Sequence, residues 1–317
     1  MALQNHESSK KIFPSGGIDP WPRIEDYASG GRPFSAPKQG LSWAFQILPY
    51  LEQNAVHNLV DSQQLPATKV ELYFCPSRRG PTQNPSGSSS LSQRWLMDYA
   101  AIVGAPTRNQ VGVKNGPLHN ARIRDMATYD RYLSDGNICS QNLLWGGTLT
   151  HMTPNTSITF GGTPNRIIFP TEGVIVRSSY FVADGTGVAG SPVVHDLQLP
   201  KPTSFKQITD GSSNTVVLCE KRIAVSRYEG GSIDDDAGWS DGWDYDTVRL
   251  AYCRPASDSG AVKGASASFM TPGSAHSGIF YCAFADGSVH GINYDVDLEA
   301  FNRLANKSDG EVLDNIF

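Results

Sequence analysis

The run His276-Ser-Gly-Ile-Phe-Tyr-Cys-Ala-Phe-Ala-Asp286-Gly287 sets an apolar stretch between a histidine and an Asp-Gly pair, and a second strand-like stretch follows it to Tyr294. Two such segments fold back on one another, because Asp-Gly supplies the positive φ angles of a two-residue hairpin turn. The spacing predicts strands over 281–285 and 288–294, closed by Asp286 and Gly287. A strand rises about 3.3 Å per residue, so a straight run holds His276 and Asp286 on the order of 30 Å apart. The two are therefore read as architecture, a histidine where the strand begins and a turn where it ends, and not as one catalytic pair.

The same punctuation recurs along the chain. Asp-Gly stands at 135, 184, 210, 241, 286 and 309, turn chemistry suited to antiparallel strands. Strand-like segments fall at 70–74, 157–160, 166–169, 174–182, 215–224, 247–253 and 279–285 as well as in the final hairpin. Helical signals are short. Residues 1–11 read as the end of a helix stopped by Pro14-Ser-Gly-Gly17, and apolar residues at 41, 45, 48 and 51 keep helical spacing until Pro49 interrupts them. A second piece follows at about 50–59. Asp295-Val-Asp-Leu can cap a helix with Leu298, Phe301 and Leu304 on one side. Clusters of Asn, Gly and Thr over about 104–165 read as a loop-rich insertion. The expectation is one α+β domain over 1–317, built on an antiparallel sheet, with short helices near both ends and long loops.

A hydrophobic share of 39% supports a buried core, whereas a net charge of −5 without any Lys/Arg cluster argues against a nucleic-acid partner. No run of 18 or more apolar residues occurs, so nothing in the sequence reads as a membrane span. Neither HExxH nor Gly-x-Ser-x-Gly is present among the seven histidines and the serines, and no nucleophile with an activated base is recognisable. The chain does not read as an enzyme.

One loop concentrates charge. Asp234, Asp235, Asp236, Asp241, Asp244 and Asp246 are six carboxylates within 13 residues. Hard cations such as Ca2+ take six to eight oxygens, and glycines let a loop wrap an ion. The spacing is not that of an EF-hand, so Asp234, Asp236, Asp241, Asp244 and Asp246 stand either as ligands or as a solvated acidic turn. Trp239, Trp243 and Tyr245 in the same loop are either core plugs or a surface for a protein or a glycan. His276 at a strand start reads as a structural hydrogen-bonding group, with metal ligation beside a distant acid as the alternative. The Gly/Ser turn over 208–215 lacks a P-loop lysine, so Asp210 and Asn214 are read as holding the turn. Glu220 and Arg222 share one strand face.

Taken together, the motifs resemble one family. His276-X9-Asp286-Gly287 is similar to the H-X9-DG element of DUF1559 proteins, the large pilin-like proteins of planctomycetes and related bacteria. Further segments match in order: Met1-Ala-Leu-Gln-Asn-His6 with Phe13-Pro-Ser-Gly16, and Gly40-Leu-Ser-Trp43 with Leu48-Pro-Tyr-Leu-Glu-Gln53. Phe74-Cys-Pro-Ser77 with Asp98-Tyr-Ala-Ala101 follows, then Ile208–Thr215 with Glu220-Lys-Arg222, Gly242–Arg249 and Gly310-Glu-Val312.

The resemblance implies the surface-exposed globular part of a pilin- or pseudopilin-like subunit, in a bacterial extracytoplasmic, cell-surface or secreted-filament setting. Its partners would be copies of itself or other pilin-like subunits, and membrane contact would come only through an N-terminal prepilin helix. Met1 falls where that helix would end, so the expectation is a chain lacking its anchor. The competing expectation is a glycan- or solute-binding module, with Ca2+ as its cofactor. In such a compartment disulfides form. Cys139 and Cys253, near polar loops, are the better candidates, while Cys219 and Cys282 read as small core residues.

Overall fold

The computed structural model describes residues 1–18, 20–85, 93–105, 172–183, 193–196, 201–261 and 270–311. Strands β1 (Ala28–Ser29) and β2 (Arg32–Pro33) form a small ribbon, as do β4 (Tyr180–Ala183) and β5 (Val193–Asp196). The main sheet has five strands: β3 (Tyr99–Val103), β6 (Val216–Glu220), β7 (Val248–Leu250), β8 (Ile279–Phe284) and β9 (Val289–Asn293). Their order is β7-β3-β6-β8-β9. All pairings are antiparallel except β3 with β7, which is parallel. The expected α+β class holds, with this one parallel edge as a refinement.

Alternation along the strands builds two cores. Phe280, Cys282 and Phe284 point to one face, where Phe301 and Leu304 of the C-terminal helix α4 (Leu298–Leu304) cover them. Phe280 and Phe301 meet edge to face with centroids 5.5 Å apart. Asp297 caps this helix as the sequence suggests, accepting a hydrogen bond from the Ala300 amide. In β6 both Val216 and Cys219 join that core, although residues three apart should face opposite ways. The register shift between Val216 and Leu218 resets the alternation.

The other face of the sheet packs on a larger core containing Phe13, Trp43, Phe45, Leu48, Val217 and Trp239. Helix α1 (Ala2–Lys10) borders it and ends at Lys11 with φ 62. Its Gln4 side chain donates to the Ala285 carbonyl beside the final hairpin. The two helical signals over 41–59 fold as three short pieces: α2 (Trp43–Gln46), a 3-10 turn at Leu48–Leu51 and α3 (Asn54–His57). Pro49 sits in the first turn of the middle piece, where its missing N–H costs nothing.

Three local expectations are corrected. The strand expected at 70–74 is a 3-10 turn, Glu71–Tyr73. The segment 174–182 is a strand only from Tyr180, because Val174, Ile175 and Val176 are buried against irregular chain instead of a ladder. There the Gly16 amide donates to the Val176 carbonyl and the Ser178 amide to that of Gly17. The final hairpin exists, but its loop has three residues. The Gly287 amide donates to Phe284, and the Phe284 amide to Ser288. Only Gly287 has a positive φ, 94°, so Asp286 acts as a turn acceptor for Ser288 and not as a left-handed residue.

Among the described residues, no helix is long and apolar enough to cross a membrane. Apart from residues 104 and 105, the expected insertion at 104–165 lies outside the described residues, as do the strands expected at 157–160 and 166–169.

Candidate functional site

The acidic loop runs from a bridge between Ser232 and Asp235, through a 3-10 turn at Gly238–Ser240, into β7. Its aromatic residues point inward. Trp239 and Trp243 are wholly buried and Tyr245 is 5% exposed. Trp239 donates its indole N–H to the Thr68 carbonyl and lies against Tyr73. A Cβ on Gly16 would stand 2.4 Å from the Trp243 ring, so the N-terminal loop must be bare at that point. Gly238 has φ +70 and packs so closely on Trp95 that a Cβ would lie 2.0 Å from its carbonyl oxygen. Of the two readings open for Trp239, Trp243 and Tyr245, core plugs or a binding surface, their burial selects core plugs. A long loop with little regular structure is held by the large apolar area these rings bury.

The carboxylates of this loop are also inside, and they divide into two groups. Asp235 accepts an ion pair from Lys221 Nζ at 2.9 Å and one from Arg79 Nη1 at 2.6 Å. Arg79 also meets Asp98 at 2.8 Å, and Arg78 bridges Asp98 and Asp258. Asp234 pairs with Arg249 at 3.2 Å. Burial alone would raise the pKa of Asp235, but Lys221 and Arg79 more than offset it and hold the carboxyl below its ordinary value. Asp234, expected as a cation ligand, belongs to this compensated network instead.

Asp241, Asp244 and Asp246 form the second group. One carboxylate oxygen from each lies within 4.8 Å of the others, and all three residues are buried. Asp246 Oδ1 accepts the amides of Asp236, Ala237 and Gly238 at 3.1, 3.0 and 2.6 Å. Asp241 Oδ1 accepts those of Trp21 and Gly242. Asp246 Oδ2, Asp241 Oδ2 and Asp236 Oδ1 are buried and accept no hydrogen bond among the described residues. Nor does any Lys or Arg among those residues form an ion pair with this group. Burial is the main cause that raises all four pKa values, with carboxylate repulsion adding to it at Asp236, Asp244 and Asp246. Asp236 is pushed up to about 7.

Asp241, Asp244 and Asp246 are thus driven toward their protonated forms. A divalent cation would replace such protons. The donor set is all oxygen, which fits a hard ion such as Ca2+. A cavity of about 420 Å3, lined by Trp21, Arg94 and Ser240 among others, lies alongside. The "solvated acidic turn" is therefore corrected: the loop is acidic but buried.

Family motifs also converge near β6. His276 lies far from Asp286 in the fold, at the opposite end of β8, and reaches Glu220 instead, its Nε2 3.5 Å from Oε1. Cys75 joins these two, with one potential ligand atom from each residue within 4.8 Å of the others. Its thiol pKa is raised, by burial first and then by the charge of Glu220. Cys75, Cys219 and Cys282 are free, and Cys253 is disulfide-bonded, as expected for it; Cys139 lies outside the described residues. Sequence reasoning had treated Cys75, Glu220 and His276 separately. The signal that could have joined them was that each sits inside a segment of the same family pattern.

The sequence matches the DUF1559 family (SBP_bac_10), described as a protein of unknown function, over residues 1–299. The chain belongs to this family. No curated protein and no solved structure matches it.

Proposed function

We propose that the chain is the surface-exposed globular part of a pilin- or pseudopilin-like subunit, held internally by a bound Ca2+ in the acidic loop. Membership of DUF1559 supports the class. The docking of α1 against the final hairpin, through Gln4 and Ala285, supports it too, since a pilin-like subunit has to fasten its N-terminal helix to its sheet. A disulfide at Cys253 suits an extracytoplasmic compartment. Immunogold labelling of cells producing the chain from its native gene tests the assembly. Label on sheared surface fibres is expected, and label confined to the cell body overturns it.

The observation that carries the cation is the packing of Asp241, Asp244 and Asp246 with orphan buried oxygens. Ca2+ at a hundredfold excess over its Kd should stabilise the fold by about 2.7 kcal/mol. That corresponds to a Tm rise of about 4 °C for a chain of 317 residues. Mg2+ should do less, because it demands tighter octahedral geometry. A Tm indifferent to Ca2+ and to chelator rejects the site. The alternative, a calcium-dependent glycan- or solute-binding module, keeps its cation but loses its aromatic platform.

A further inference from the structure

We propose that Cys75, Glu220 and His276 form a second metal site, for a thiophilic transition-metal ion of the Zn2+ class, distinct from the acidic loop. Three segments far apart in sequence bring the donors together: the turn after Phe74, the end of β6 and the loop before β8. The donors are a thiolate sulfur, a carboxylate oxygen and an imidazole nitrogen, a combination that selects Zn2+ and its neighbours over Ca2+ or Mg2+.

The separation of His276 from Glu220 fits a shared ion better than a direct charged hydrogen bond. His276 Nε2 and Glu220 Oε1 stand 3.5 Å apart, long for a charged hydrogen bond. Two ligands at 2.0–2.2 Å from a tetrahedral ion are separated by about 3.4 Å. Each donor is also held from behind. Glu220 Oε2 accepts the Tyr281 amide at 2.8 Å, and the Cys75 amide donates to Asp98 Oδ2 at 2.8 Å. The His276 amide donates to Ser274 Oγ, and its ring meets the Tyr281 ring edge to face. Such outer contacts orient ligands at metal sites.

The three donors line a cavity of about 340 Å3, together with Tyr99 and Val289. Three protein ligands facing an open space are the arrangement of a zinc ion that keeps one position for water or a small donor molecule, not of a closed structural site. His276 is the ligand nearest solvent, its side chain 29% exposed, while Glu220 is 3% exposed. Cys219 and Cys282 line the same cavity but oppose one another across β6 and β8.

Co2+ titration of the chelator-treated full chain tests this directly. One equivalent should produce a thiolate-to-cobalt charge-transfer band, displaced by Zn2+. Cys75→Ser should abolish the band, His276→Gln should weaken binding by at least about tenfold, and Cys282→Ala should leave both unchanged. In the unsubstituted chain, bound Zn2+ should slow alkylation of Cys75 mapped by peptide analysis, a readout that needs no variant to fold. Absence of the band, its survival in Cys75→Ser, its loss in Cys282→Ala alone, or equal alkylation with and without Zn2+ each overturns the site. A Tm response to Ca2+ is independent of all these readouts, so failure here leaves the acidic-loop proposal standing, and the reverse also holds.

Discussion

Asp235 and Asp246 belong to one loop, and both are fully buried, yet their carboxyls are driven in opposite directions. Asp235 faces Lys221 and Arg79 and is held below its ordinary pKa. Asp246 faces Asp241, Asp236 and Asp235; Lys221, the cation that acts on it, already pairs with Asp235. Three amides donate to Asp246 Oδ1, which favours its ionised form, and burial still wins. Desolvation is therefore common to both, and a resident cation decides the outcome. One half of the loop carries its cations in side chains. The other half is built as though its cation comes from solution.

Removing the resident cation should have the largest effect. Lys221 Nζ meets Asp235 and donates to the carbonyls of Asp234 and Asp246. Lys221→Met leaves Asp235 with Arg79 alone, and a broken buried pair costs about 3–5 kcal/mol. Urea denaturation should show that loss in the midpoint with an unchanged slope. A loss below 1 kcal/mol would mean that the compensated half is less dependent on Lys221 than its geometry implies.

The opposite sign is expected in the uncompensated half. Asp241→Asn keeps the acceptor for the Trp21 and Gly242 amides and replaces the partnerless Oδ2 with an NH2 that can donate to the neighbouring Asp244 or Asp246 carboxyl. In chelator at pH 7.5 the variant should be more stable than the parent by about 1.5–3 kcal/mol, the worth of a hydrogen bond to a charged group. In Ca2+ the order should reverse, since a ligand has been removed. Differential scanning calorimetry in the two buffers gives both signs, and a variant less stable in both would break the comparison.

The pH dependence follows from the same shifts. Asp236, Asp241, Asp244 and Asp246 have folded pKa values above their unfolded ones. The folded chain then binds more protons than the unfolded chain above about pH 4, so stability falls as pH rises toward the folded values. Asp235 contributes the reverse, stability present above its unfolded value and lost in acid. Burial lowers the pKa of His6 and His57, which adds stability with rising pH only below about 6.5. Lys307, lowered to about 8, acts only above that. Between pH 6.5 and 7.5 the carboxylate cluster should dominate, and Tm in chelator should drop as pH rises. Saturating Ca2+ should flatten the profile, and a chelated chain whose Tm rises across this window would contradict the cluster's assigned protonation.

Much of the scaffold was legible in the sequence because local chemistry fixes it. Asp297 capping α4, the 279–293 hairpin and the break at Pro49 each depend on neighbours within a few residues. The sign of the acidic loop was not legible. Six carboxylates in 13 residues read equally as solvated or ligating, and what decides is Lys221, Arg79 and Arg249 arriving from other parts of the chain. The loop's tryptophans were ambiguous for the same reason, since inward and outward rings have the same letters. Strand 174–182 was overread because a buried apolar run needs no ladder to be buried. His276 and Glu220 are 56 residues apart, and no spacing rule could have paired them.

The smallest effect should come from a contact that is as short as any ion pair among the described residues. Lys69 Nζ stands 2.6 Å from Glu71 Oε1, the same separation as Arg79 Nη1 from Asp235 Oδ2. The Lys69 and Glu71 side chains are 41% and 70% exposed, whereas those of Arg79 and Asp235 are 5% and 0% exposed. Water and salt screen the outer pair, and holding two long side chains in one geometry costs entropy. Glu71→Gln should leave Tm unchanged within measurement error, and added salt should not separate variant from parent. The substitution removes an ion pair of equal length to the buried one, so any sizeable loss would show that distance, and not desolvation with a resident cation, sets the strength of charge pairing in this fold.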